Sequence, residues 1–265
     1  MKTFRTYWNL VLADMRSQMQ HRASFAMSAF GNFSATVIDF LGIWALFGSF
    51  GALEGWTIAQ IAVLYGIVNV SFTVSEAVGR GFDEFSGLVK NGGFDRVLLR
   101  PRGTVFQMLA SRLELSRVGR LSQGLGVLIL GIMLQPQPMG FAQIMLIILS
   151  IAGGVMLFMG LLMMQAAMCF WTVESLEAFN VLTYGGVTMA SYPLEVYREW
   201  FKRFFLYIVP LGCLNYLPSA VLFDKVLPYP VWTAYLAPAA GALFLCAGCF
   251  IWQTGVRHYR SAGGA

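Results

Sequence analysis

NGGFDRVLLRPRG, residues 91–103, interrupts a chain that is otherwise mostly apolar. It brings together a glycine break, an acid, Arg96, Arg100 and Arg102, and a proline, with Lys90 just before it. Around it the chain is 57% hydrophobic and only 12% charged, with a mean hydropathy of +0.65, far from the composition of a soluble domain. Apolar runs cover 24–50 and 57–79 on one side, and 121–134, 140–170 and 231–254 on the other. Most reach the roughly 20 residues that cross a bilayer. The stretch therefore reads as a break between membrane spans, and the fold class as an all-α polytopic membrane protein.

The formal net charge of +5 would raise nucleic acid as a partner for a soluble protein; here the position of the charges matters more than their sum. Lys2, Arg5, Arg16 and Arg22 precede the first apolar run, and residues 80–120 carry Arg80, Lys90, Arg96, Arg100, Arg102, Arg112, Arg117 and Arg120. The loops around Glu54 and Pro136 carry no lysine or arginine. Cations concentrate on the cytoplasmic side of membrane proteins, so the N-terminus and 80–120 are expected in the cytoplasm, and Arg257 and Arg260 place the C-terminus there too. The first residues do not read as a cleavable signal, because Asp14 and Arg16 interrupt the apolar run.

Phe4, Tyr7, Trp8, Val11, Leu12, Met15 and Met19 share one helical face, which predicts a helix over 1–22 lying flat in the inner interface. Spans follow at 24–50 and 57–79. Residues 104–134 are expected as one long helix whose first turns project from the membrane, ended by QPQPMG. Spans at 141–171, 178–193 and 231–254 complete six. Residues 194–230, rich in aromatics and broken by Pro210, Pro218, Pro228 and Pro230, read as two short helices dipping into the outer leaflet, each ended at a proline. Charge alone does not settle which side they occupy. Nothing divides the chain into soluble domains, so 1–265 is one membrane unit.

No catalytic constellation is visible. His21 and His258 stand near opposite ends, and no phosphate-binding glycine loop is present. Cys246 and Cys249 form a C-x-x-C inside the last apolar run, better read as packing than as a metal or redox site, because no histidine or carboxylate accompanies them. No metal ligand set and no cofactor is expected on this chain.

The quoted stretch now has a shape. Phe82, Phe85, Leu88 and Val89 make one apolar face, Asn91-Gly92-Gly93 supplies residues that tolerate a left-handed helix cap, and Arg100-Pro101 breaks the next turn, with the proline in the first turn of the helix that follows. This predicts a cytoplasmic knuckle with exposed aromatics, either a lipid-headgroup platform or a knob that docks in another protein's groove. Gly92, Phe94, Asp95, Leu98, Leu99, Arg100 and Pro101, with Phe106-Gln107 after them, resemble the G-x-F-D-x-x-L-L-R-P signature of ABC-2-type exporter membrane subunits, and SYPLEVYREW and NYLPSAVL resemble that family's outer segment. The resemblance implies six spans, an N-terminal interface helix, a coupling helix after span 2 within 80–103, and re-entrant helices at 194–230 on the outside. It also implies a second permease subunit, identical or paralogous, and a separate cytoplasmic ABC ATPase that carries the ATP and Mg, in a bacterial cytoplasmic membrane. The coupling residues it points to are Phe82, Phe85, Gly92, Phe94, Asp95, Arg96, Leu98, Leu99, Arg100 and Pro101.

One pattern goes beyond the resemblance. Asn32, Thr36 and Asp39 in span 1 and Asn69, Thr73 and Glu76 in span 2 repeat the same N-x-x-x-T-x-x-[DE] spacing, one helix face in each case. In antiparallel spans Asp39 lies near the depth of Asn69, and Glu76 near that of Asn32. The two stripes read either as a hydrogen-bonded seam or as the wall of a substrate cavity, completed by Asn180, Thr183 and Tyr184, in which Asp39 attracts a cationic amphiphile. The function that follows is the permease half of an ATP-driven exporter. The alternative is a standalone transporter in which Asp39 and Glu76 carry protons. The glycines at 124, 126, 131, 153, 154 and 160 are expected to allow close helix packing.

Overall fold

The computed structural model describes residues 12, 15–50, 53–172, 178–226 and 229–259. It is all-helical, with no strand among them. Most of the helix expected over 1–22, the turn at 173–177 and Arg260 lie outside the described residues. The part of 1–22 that is described runs without a break into the first span: Met15–Phe47 is one apolar helical stretch. Gln18 ties it to the segment after the knuckle, accepting from the Leu115 N–H at 3.1 Å.

The helices are α1 (Arg22–Phe50), α2 (Ile58–Val78), the short α3 (Arg80–Asp83), α4 (Phe85–Lys90) and α5 (Gly93–Leu98), then α6 (Thr104–Ser111), α7 (Val118–Met133), α8 (Phe141–Thr172) and α9 (Ala178–Ala190). After them come α10 (Glu199–Arg203), α11 (Leu211–Leu214), α12 (Tyr216–Leu222) and α13 (Trp232–His258). Four stretches are long and apolar enough to cross a membrane: Met15–Phe47, Ile58–Val78, Phe141–Thr172 and Trp232–His258. A fifth candidate is the pair Glu199–Ile208 and Leu211–Leu222, bent by 75° at its break.

α2 is the hub. It opens with a reciprocal cap between Thr57 and Gln60, which satisfies two of the N–H groups that a helix start leaves unpaired, and nearly all of it is buried against α7 and α8. Its serines bond across to α8: Ser71 Oγ donates to the Ile151 carbonyl at 3.2 Å and Ser75 Oγ to that of Val155 at 2.9 Å. Such bonds hold helices together where lipid provides no hydrophobic drive. The largest helix interface joins α8 to α13, and there Gly153 faces Gly241 while Gly160 faces Gly248. A Cβ on Gly248 would stand 2.8 Å from the Gly160 carbonyl oxygen, so the helices cross at backbone contact.

Two expectations about proline and helix continuity are corrected. Residues 104–134 are not one helix: Arg112 and Glu114 are extended, and a 3₁₀ turn at Leu115–Arg117 separates α6 from α7. The break turns Glu114 and Arg117 inward to ion-pair partners that a straight helix would miss. In the 199–222 hairpin the chain bends at Pro210, as expected, but Pro218 lies inside the first turn of α12 and does not end it. Asn215 pins the hairpin to the bundle, donating to the carbonyls of Leu64 at 3.2 Å and Ala190 at 2.6 Å. Lys225 lies 5.2 Å from the centre of the Trp56 ring, so the hairpin shares one end of the bundle with the turn before α2. The segment from 80 to 117 is at the other end.

Candidate functional site

The knuckle is built from inside out. Gly92 takes the left-handed conformation, φ 63°, and its N–H bonds to the Val89 carbonyl at 3.0 Å, closing α4 as the sequence suggests; a side chain there would be strained. The aromatics are not exposed, contrary to expectation. Phe82, Phe85 and Phe94 are fully buried, packed on Trp252, Phe170 and Tyr259 from the ends of α8 and α13, with ring centres 4.8 Å apart for Phe85–Trp252 and 5.0 Å for Phe94–Tyr259. Rings of this size bury a large apolar area. Nor does Pro101 enter the following helix: it lies before Gly103, the N-cap of α6. The turn is held instead by Gln107, whose Nε2 donates to the carbonyls of Val97 and Arg102, each at 2.9 Å. Trp252 Nε1 donates to Thr104 Oγ1 at 2.9 Å. What remains on the outside is a crown of Arg96, Leu98, Leu99, Arg100 and Pro101, with Leu99 84% exposed. Asp95 is half-buried beneath it.

From the knuckle a run of ion pairs leads inward. Arg112 holds Glu84 at 2.8 Å. Arg80 binds Glu84 and, across the helix break, Glu114, each at 3.0 Å, and it also pairs with Asp83. Burial lowers the proton affinity of the Arg80 guanidinium, but Glu114, Asp83 and Glu84 outweigh that and hold it above its ordinary value. Glu114 reaches Arg117 at 3.7 Å. Arg117 then meets Glu76 at 2.9 Å, and Arg120 meets the other Glu76 oxygen at 3.6 Å. Glu76 is almost wholly buried and also accepts from Tyr184 Oη at 2.8 Å. Arg117 donates to Asn32 Oδ1 at 3.1 Å.

Asn32, Arg120 and Tyr184 line a cavity of about 360 Å³, within the range of small-molecule sites. Thr36, Asp39, Tyr65, Asn69, Thr188 and Tyr192 complete most of its wall. Of the residues expected there, Asn32, Thr36, Asp39, Asn69 and Tyr184 are present. Thr73 and Glu76 lie behind the wall, buried; Thr183 is buried elsewhere on α9 and Asn180 faces outward. The two polar stripes do not zip together, because α1 packs on α7 rather than along α2. Arg117 bridges Asn32 to Glu76, and Asp39 and Asn69 face one cavity. Thr36 and Asn69 spend hydrogen bonds on their own helices.

The sequence profile of the ABC-2 family transporter proteins matches residues 33–263. The chain belongs to the ABC-2 transporter family. No curated protein and no solved structure matches it closely enough to add to this. The match takes in the knuckle, the ion-pair run and nearly all of the cavity wall, and ABC-2 membership makes the chain a multi-pass membrane subunit for transport, of the kind that has no catalytic site of its own. In the sequence of this ABC-2 chain Arg117 and Arg120 count only as cytoplasmic cations. Two arginines at the mouth of an apolar helix need a buried acid, and Glu76 in the preceding span was the available one.

Proposed function

We propose that this chain is the permease half of an ATP-driven exporter, paired with a second permease and with a separate ABC ATPase that binds ATP and Mg. The observation that carries the reading is the unbroken run of ion pairs between the knuckle and the cavity wall. The crown of Arg96, Leu98, Leu99, Arg100 and Pro101 is the docking surface for the ATPase, and Phe82, Phe85, Gly92 and Phe94 are the frame that stiffens it. ATP-driven movement of the knuckle shifts Arg80 against Glu114, and through Arg117 and Glu76 moves Arg120 and Tyr184 at the cavity. A switch of this kind works only if nucleotide favours one arrangement by differential binding.

In this reading α1, α2, α7, α8, α9 and α13 cross a bacterial cytoplasmic membrane, six spans in all. α7 and α9 have 16 and 13 residues. At a rise of about 1.5 Å per residue they cover roughly 24 and 20 Å of a hydrocarbon core roughly 30 Å thick. Each is completed at one end by irregular backbone that faces protein, which a membrane tolerates. The arginine-rich end that holds the knuckle is cytoplasmic, as are both termini, and the contact between Lys225 and Trp56 supports an outer position for 194–230. The alternative, a lone proton carrier, loses one of its two acids, since Glu76 is held between Arg117 and Arg120.

Affinity purification of the native complex in mild detergent, read by mass spectrometry, tests this. An ABC ATPase is expected with the wild type and is lost from Leu99→Glu, whose unfolding midpoint stays unchanged because Leu99 is 84% exposed. Absence of any ATPase from the wild type contradicts the exporter; retention by Leu99→Glu contradicts the docking surface.

A further inference from the structure

The cavity wall carries two formal charges, and they are opposite. Asp39 enters from α1 and Arg120 from the start of α7. Asp39 has no hydrogen bond or ion pair among the described residues; its charge bears on the Tyr65 and Tyr192 hydroxyls, which line the same cavity. Among the described residues Arg120 has one carboxylate contact, the Glu76 oxygen at 3.6 Å, and Glu76 is shared with Arg117. Its guanidinium carbon lies over the Phe72 ring, 5.0 Å from the centre, and its buried Nε has no hydrogen-bond partner among the described residues. Arg117 is shared between Glu76 and Glu114, whereas Arg120 reaches Glu76 only at 3.6 Å, so Arg120 is the loosely met cation at the cavity end of the run.

A purely cationic guest drawn to Asp39 faces Arg120 across the same small space, and a purely anionic guest faces Asp39. A guest with both charges is attracted at both ends, and complementary charge placement is what selects one partner over another. The walls suit the rest of such a molecule: Ile43 and Val187 are apolar, and the Tyr65, Tyr184 and Tyr192 rings offer faces to an ammonium group. We infer that the cavity binds a zwitterionic amphiphile, its anionic group on Arg120 and its ammonium group on Asp39. That this guest is also the exported substrate rests on the exporter reading above; the binding itself does not.

The test uses the purified full-length chain in phosphatidylglycerol nanodiscs, without ATP, and three octyl-chain probes: octylphosphocholine, octyltrimethylammonium and octyl sulfate. The zwitterion is expected to bind about tenfold more tightly than either singly charged probe, the effect of one additional favourable charge contact. Asp39→Asn is the decisive variant, because Asp39 holds nothing else among the described residues. It is expected to bring octylphosphocholine down to the affinity of octyl sulfate while leaving octyl sulfate no weaker. Adding phosphatidylethanolamine to the discs identifies the source: competition assigns the site to a lipid headgroup, undiminished binding to a free amphiphile, and both uphold the zwitterion. Octyltrimethylammonium binding as tightly as octylphosphocholine overturns the inference, as does an Asp39→Asn chain with unchanged preference, or no binding by any probe. None of these results depends on an ATPase, so failure here and failure of the exporter reading are separate outcomes.

Discussion

Glu76→Ala is expected to lower the unfolding free energy of the purified chain by about 3–5 kcal/mol, the usual cost of removing one member of a buried ion pair and leaving its partner's charge unmet. Here Arg120 at 3.6 Å loses its carboxylate, Arg117 loses its nearer one at 2.9 Å and keeps only Glu114 at 3.7 Å, and Tyr184 loses its acceptor as well. The position is almost fully buried, so water does not replace what is lost. The readout is the midpoint of a denaturing-detergent titration, followed by tryptophan fluorescence. Glu76→Gln keeps the shape and an acceptor for Tyr184 but not the charge, and falls in between. Replacing all three by leucine, Glu76→Leu with Arg117→Leu and Arg120→Leu, removes the uncompensated charges together. It is expected to recover much of the stability, as apolar replacement of buried ion pairs often does, and none of the transport, because the link to the cavity is gone. A midpoint unchanged in Glu76→Ala would mean that the cluster holds nothing together.

Phe94→Ala is expected to cost a similar amount, about 3–5 kcal/mol for a large aromatic removed from a packed core. Phe94 is fully buried, with Phe85 at 5.1 Å, Phe170 at 5.4 Å and Tyr259 at 5.0 Å between ring centres. Its loss opens a cavity between the knuckle and the ends of α8 and α13. The midpoint therefore drops, and any loss of a bound ATPase follows from a loosened knuckle, not from a missing contact. Leu99→Glu changes the docking surface without this consequence, and the contrast between the two variants separates the frame of the knuckle from its face. An unchanged midpoint in Phe94→Ala would place the aromatic cluster outside the stable core.

Much of this was legible in the chain, and the failures have a common cause. Apolar runs and breaks mark helices by composition alone, so the long spans and the Gly92 cap could be read locally. The knuckle's apolar face was legible too, but not what it faces, because Phe170, Trp252 and Tyr259 come much later in the chain. The same holds for Arg117 and Asn32, whose hydrogen bond spans 85 residues, and for Tyr184 and Glu76, which span 108. The break at residues 112–117 goes with distant charges of both signs: Glu114 pairs with Arg80 and Arg117 with Glu76, contacts that local propensity does not record. The stripes of α1 and α2 showed their spacing. That α1 leans on α7, leaving a cavity in place of a seam, is a packing choice no spacing records.

The proposed action of nucleotide on the cavity through the ion-pair run is open to one measurement that needs no knowledge of the substrate. Thr188 lines the cavity and is exposed. In the assembled complex, with Cys169, Cys213, Cys246 and Cys249 replaced by alanine, Thr188→Cys is labelled with a thiol reagent with and without a non-hydrolysable ATP analogue. The labelling rate is expected to change with nucleotide in this background and no longer to change when Glu114→Gln is added, while the ATPase stays bound. A full nucleotide response in the Glu114→Gln complex would contradict this.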